Sequence, residues 1–389
     1  MLYTMNKRYL DGILNKAANG FSLSWQEIVY LLSLEDPKAI QKVMSTARQL
    51  RNQYFGSKIF LYGFIYFSTY CRNHCAFCYY RNTNELSPRY RKSLAEVLDI
   101  AAGLADSGVN LIDLTMGEDP QMHDTGNFAP LLEMIAAVRG KTGLPVMVSP
   151  GVVPEEVLMD FRDYGVDWYA LYQETHNQTL YNNLRLGQSF EERVTGRRTA
   201  RQAGMLVEDG ILIGVGETTG DRAEAILAMK EAGVQQARVM SLVPQSQTPL
   251  ASRVTPARIN EYLSIAVMRL VMPDRLIPAS LDVDGIKGLK LRLEAGANVV
   301  TSIIPPSSSL AGVSQSTLDI EQGLRTVPEV QKVLAGMGLQ AAQTTDYSNW
   351  VTAQKIKIAE WGDSHDEPMY RRGAAAGPGS CLPGQAGRI

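Results

Sequence analysis

Cysteine, histidine and surplus charge are all scarce in this sequence. Four cysteines in 389 residues exclude a disulfide scaffold. Lys and Arg total 38 against 40 Asp and Glu, a formal net charge of -2, so there is no bulk electrostatic attraction for nucleic acid or an anionic membrane. The longest apolar or aromatic run, Ile59 to Phe67, falls well short of the roughly 18 residues that suggest a membrane helix. The amino terminus carries no secretory pattern, and a cytoplasmic, monomeric protein with small, locally recognised partners is expected. What remains is an ordinary folded composition, 45% hydrophobic and 20% charged, which excludes a fibre or a disordered chain. Placement of the cysteines says more than their number. Cys71, Cys75 and Cys78 fall within eight residues, and Cys381 stands alone near the end.

Residues 1–57 read as an amino-terminal helical cap, with Asp36-Pro37 as a helix start. From Ile59 the pattern alternates short β-rich runs with amphipathic helical stretches, the grammar of parallel βαβ units. Eight strand candidates follow: Ile59 to Phe67, Leu111 to Thr115, Pro145 to Ser149, Asp167 to Tyr172, Gly210 to Gly214, Ala237 to Val243, Leu276 to Leu281 and Asn298 to Ile303. Helix punctuation lies between them. Ser93 with Glu96 forms a capping box ahead of an apolar face that Gly108 ends, and Ser189 with Glu192 opens a helix that Gly204 closes. Eight βα units over residues 58–342 predict an α/β fold, a (β/α)8 TIM-type barrel; periodicity leaves its closure open. Residues 343–389, without a periodic apolar face, are expected to form a disordered tail.

The segment CRNHCAFCYY sets Cys71, Cys75 and Cys78 at Cys-x3-Cys-x2-Cys, directly after the first strand, at the barrel end where active sites form. Soft sulfur ligands select zinc or iron-sulfur. A closed zinc site wants a fourth ligand, and neither His74 nor Cys381 is well placed to supply it. A zinc knuckle in a barrel that binds a metabolite, or merely buried cysteines, is the competing reading. The spacing, with Phe77 just before the last Cys, resembles that of the radical S-adenosylmethionine superfamily, and the chain is similar to its biotin synthase-like subgroup.

The resemblance implies a 4Fe-4S cluster on those three Cys, its fourth iron chelating S-adenosylmethionine. It also implies a low-potential electron donor such as ferredoxin or flavodoxin, and cleavage of the cofactor to a 5'-deoxyadenosyl radical. No catalytic side chain is expected beyond the cluster and that radical. The family's cofactor contacts map onto Phe77, Gly117 and Glu118 in MGED, Ser149, Tyr172 and Glu174 in LYQET, Arg193 on the following helix, and Gly214. Glu118 has a structural alternative, and a surface salt bridge between Glu174 and Arg193 is the bland reading of that pair.

FIYFSTYCRNHCAFCYYR, IDLTMGEDP, WYALYQETH, VEDGILIGVG, ARVMSLVPQ, RLIPASLD and GANVVTSIIPP together resemble the methylornithine synthases, a mutase family that converts L-lysine to (3R)-3-methyl-D-ornithine in pyrrolysine biosynthesis. A different small substrate is the alternative. Lysine carries two ammonium groups and one carboxylate, each expensive to bury unpaired. Asp113 and Asp282 are candidates for the ammonium groups and Arg238 for the carboxylate, with Ser280, Thr301, Ser302 and more weakly Tyr62 beside them. An interior ion-pair network among the charged residues is the alternative.

Overall fold

The computed structural model of the protein describes residues 2–306, 308–313 and 324–362. Three helices, Leu2–Ala18, Trp25–Leu32 and Pro37–Phe55, form the amino-terminal cap. Asp36 caps the third through the backbone N–H groups of Lys38 and Ala39, as the Asp-Pro start predicts. The barrel strands are β1 (Lys58–Ser68), β2 (Leu111–Met116), β3 (Val146–Ser149), β4 (Trp168–Ala170), β5 (Leu206–Ile213), β6 (Gln236–Ser241), β7 (Pro278–Ser280) and β8 (Val299–Ile303), with β9 (Gln340–Ala341) paired to the start of β1. Paired neighbours run in parallel in the order β6, β5, β4, β3, β2, β1, β8, β7, the arrangement a (β/α)8 barrel requires.

The ring is nearly closed. Between β6 and β7 the described residues show a single bridge, Gln236 to Leu276, at the amino end of the seam. Beyond it a side-chain network holds the carboxyl end of β6. Glu261, on the helix Arg258–Val271, accepts from the Ser241 N–H at 3.2 Å and hydroxyl at 2.6 Å. Its other oxygen meets Arg292 Nε at 2.5 Å.

Strand β5 begins at Leu206, four residues before the expected Gly210. The reason is that Glu208 and Asp209 interrupt the apolar pattern that marks a strand, yet both are fully buried and both have cationic partners. Residues 344–362 also differ from expectation. Where the start of a disordered tail was predicted, the helix Thr344–Gly362 packs Tyr347, Val351 and Ile358 with Phe60, Tyr62 and Trp168 into the barrel floor. Polar neighbours on the outer face hide that stripe from a periodicity reading. Cys381 and the rest of the expected tail lie outside the described residues. Tyr347 is fully buried and its hydroxyl meets that of Tyr62 at 2.8 Å, so Tyr347→Ala should cost about 3–5 kcal/mol of stability, read as a lower Tm at unchanged iron content. Among the described residues no helix is long and apolar enough to cross a membrane.

Candidate active site

A cavity of about 170 Å3 opens at the carboxyl ends of the barrel strands. Strand side chains alternate with period two, so every second residue of a barrel strand faces inward, and the cavity collects those at the upper turn together with the loop after β1.

Cys71, Cys75 and Cys78 line the cavity together with Phe77. The loop that carries them is fastened at both ends. Arg91 holds the buried Asp119 by two bonds of 2.7 and 2.8 Å, and the Ser68 hydroxyl donates to the same carboxylate at 2.5 Å. Arg72 N–H donates to Glu118 O at 2.9 Å, and Gly117 N–H to Ser68 O at 2.9 Å. Gly117 is required by that closeness, since a Cβ there would stand 2.3 Å from Tyr70 O. Burial pushes the Cys71 thiol up to about 11 and raises Cys78 as well. Metal binding must displace those protons. The donor set fits an iron-sulfur cluster: three soft sulfurs from one loop line the cavity.

Next to the sulfurs sits a belt of paired charges. Glu118 lies 3.3 Å from Arg72 and 3.7 Å from Arg193. Burial works against its charge, but Arg193 and His123 prevail and hold it below the usual carboxylate range. Its side chain fits only because residue 151 is glycine, where a Cβ would come within 2.2 Å of the Glu118 chain. Glu174 pairs with Arg185 at 2.7 Å, and not with Arg193, which instead donates to Tyr172 O at 3.1 Å and Gln188 Oε1 at 3.2 Å. The surface bridge between Glu174 and Arg193 is therefore absent, and both residues line the cavity with Ser149 and Tyr172. Arg185 is buried beside them; sequence reasoning missed it because nothing in a lone Arg after a short helix marks it.

The same cavity is lined by Asp113, Arg238, Ser280, Asp282 and Ser302. Asp113 is pushed up to about 7 by burial and the charge of Glu208, against a bond from Thr115 and the charge of Arg238. Arg238 Nε is 2.6 Å from Glu208, which also accepts the Tyr172 hydroxyl at 3.0 Å. Asp282 forms a buried ion pair with Arg325 at 2.8 Å and accepts from Val313 N–H at 3.1 Å. The interior network that competed with a ligand-binding role is thus present. It fixes Arg238 by its Nε edge, so a bidentate clamp through Nε is not available, and it pairs Asp282 before any ligand arrives.

Three expected residues lie elsewhere. Thr301 does not line the cavity; it accepts from Arg238 Nη1 at 3.1 Å. Tyr62 belongs to the floor. Gly214 (φ +94°) is packed under Pro256, in a loop whose N–H groups at 214, 215 and 216 point to the Glu217 carboxylate at 3.0–3.2 Å. Two non-glycine residues at the cavity have positive φ, Glu174 at 66° and Ser302 at 65°, a backbone strain common at functional sites.

Comparison with known proteins agrees with this geometry. The family model described as Radical SAM superfamily matches residues 65–229, from the end of β1 to just past β5. The 3-methylornithine synthase of Methanosarcina acetivorans is 43% identical over 89% of this chain and 98% of that protein. The [FeFe] hydrogenase maturase subunit HydE of Thermotoga maritima is 29% identical over 71% of this chain and 79% of that protein. A crystal structure of methylornithine synthase superposes with a TM-score of 0.83 at 42% identity, covering 87% of this chain and 99% of that one. With a cysteine loop, a barrel mouth and near full-length identity all in agreement, the chain belongs to the 3-methylornithine synthase family of the radical SAM superfamily.

Proposed function

We propose that this enzyme isomerises L-lysine to (3R)-3-methyl-D-ornithine in pyrrolysine biosynthesis, in the cytoplasm, with a ferredoxin or flavodoxin as electron donor. The observation that carries it is one cavity lined both by the three cysteines and by Asp113, Arg238 and Asp282. A 4Fe-4S cluster and S-adenosylmethionine bound there would supply radical chemistry, the removal of a hydrogen atom from unactivated carbon. Cys71, Cys75 and Cys78 would hold the cluster, and Glu118, Ser149, Tyr172, Glu174 and Arg193 would hold the nucleoside and amino acid parts of S-adenosylmethionine.

The remaining work belongs to the chain itself, which orients the substrate and keeps water out. Arg238 presents its Nη edge to a carboxylate, with Glu208 and Thr301 fixing the guanidinium. Asp113, Glu208 and Arg238 carry one net negative charge when Asp113 is ionised, while Asp282 and Arg325 cancel. A dibasic amino acid with one net positive charge matches that balance, and its ammonium group would take the place of the proton on Asp113.

That exchange has a pH signature. In the ligand-free protein Asp113 is held protonated up to about 7, above its unfolded value, so a cation that needs the carboxylate must expel a proton at lower pH. KM for lysine should therefore fall as pH rises from about 6 to about 8 and then level. Steady-state kinetics across that range checks it, and Asp113→Asn should give a flat, raised KM.

The function is tested by incubating anaerobically reconstituted protein with lysine, S-adenosylmethionine and dithionite, then separating amino acids by chromatography. Substrate and product are isomers of equal mass, so separation and not mass decides. A new peak co-eluting with 3-methylornithine supports the reading; 5'-deoxyadenosine formed only with another amino acid contradicts it.

A further inference from the structure

Gln188 stands between the arginine belt and the cysteine wall. It lies in the turn just before the helix Phe190–Gln202, which Ser189 caps. Its Oε1 accepts from Arg185 Nη1 at 3.3 Å and from Arg193 Nη1 at 3.2 Å. Its Nε2 lies 3.1 Å from Cys75 Sγ, and Arg185 Nη1 lies 3.7 Å from the same sulfur. The orientation of an amide is settled by its neighbours. Two guanidinium groups can only donate, so the oxygen must face them, and the N–H is left pointing at the sulfur. The flipped amide would set donors against donors on one side and two acceptors face to face on the other.

We propose that Gln188 tunes the reduction potential of the cluster by donating a hydrogen bond to the Cys75 sulfur, with Arg185 and Arg193 polarising its amide. The inference rests on the assignment of the cluster to Cys71, Cys75 and Cys78. An N–H directed at a cluster-ligating sulfur stabilises the more negative, reduced state and raises the potential. The two guanidinium groups on Oε1 strengthen that donor, because hydrogen bonds in a chain polarise one another. Arg185 also pairs with Glu174 and stacks 5.5 Å over the Phe77 ring, so the residues expected to meet S-adenosylmethionine and the residue that tunes the metal share one network. Gln188 is a positioning residue here: it acts through Cys75, a residue assigned to the cluster.

The test is a potentiometric titration followed by electron paramagnetic resonance, on reconstituted full-length protein without lysine. Two variants are compared with the wild type. Gln188→Leu removes the donor, and Gln188→Glu keeps the shape and the acceptor for both arginines but turns an oxygen to the sulfur. Both should bind four irons per chain and both should show a more negative midpoint potential, with the larger shift for Gln188→Glu. At a fixed reductant potential the reduced fraction should fall in the same order. Gln188→His, which restores an N–H at this position, should recover part of the shift. Wild-type potential in Gln188→Glu at full iron content overturns the proposal. Loss of iron in both variants overturns it too, since the residue would then merely hold the loop. Wild-type protein that fails to bind four irons would instead refute the cluster assignment, and because no substrate is present the outcome is independent of the lysine reading.

Discussion

Arg238→Met lowers kcat/KM for lysine by roughly 100-fold or more while iron content stays at the wild-type level. Two effects contribute and they are separable. The guanidinium lines the cavity beside Asp113, and removing one partner of a buried, hydrogen-bonded charge pair costs about 3–5 kcal/mol. Part of that cost is structural, because Glu208 is fully buried and would lose the partner 2.6 Å away. The double variant Arg238→Met with Glu208→Gln removes the stranded charge, and the new amide oxygen still accepts the Tyr172 hydroxyl. Its Tm should return most of the way to wild type, but its KM for lysine should stay high. Recovery of activity along with stability would show that Arg238 serves only the interior network.

Cys75→Ala abolishes turnover and leaves the protein folded. Cys75 is the most buried of the three cysteines, the other two being half-buried, and its sulfur has N–H donors from Gln188 and Arg185 nearby. Loss of one thiolate of three removes the open-iron arrangement that the family uses, whereas deleting one sulfur from a loop fastened through Asp119, Arg91 and Ser68 removes little apolar burial. Iron bound after reconstitution should drop well below four per chain, and the circular dichroism spectrum and Tm should change little. Because burial raises Cys71 to about 11, cluster assembly on the wild type should also speed up as pH rises, with protons released as iron binds. Full iron binding by Cys75→Ala would mean that the cluster sits elsewhere.

The barrel was legible in the sequence because its signals are local. Helix caps such as Ser93 with Glu96 and alternating β-rich runs are written within a few residues of each other, and both reappear in the structure. The Cys wall was equally legible, since its spacing is a short-range chemical pattern. Charges in unexpected places obscured the rest. The start of β5 was missed because Glu208 and Asp209 read as loop, although their counterions Arg238 and Arg197 come from β6 and from a helix several residues before. Arg185 and Arg325 carry no sequence mark at all: each is defined by a partner, Glu174 or Asp282, that only the fold brings within 3 Å. The helix Thr344–Gly362 was hidden for a similar reason, because its few apolar residues matter only against Phe60 and Trp168 on the barrel floor.

The central claim is that lysine occupies the same cavity as the cysteine cluster and gives up a hydrogen atom there. Lysine carrying deuterium on its side-chain carbons tests it most directly, with 5'-deoxyadenosine isolated after incubation with S-adenosylmethionine and reductant and analysed by mass spectrometry. Deuterium should appear in the 5'-deoxyadenosine, together with a deuterated 3-methylornithine. 5'-Deoxyadenosine that remains unlabelled while 3-methylornithine forms, or no 3-methylornithine at all, would contradict the account.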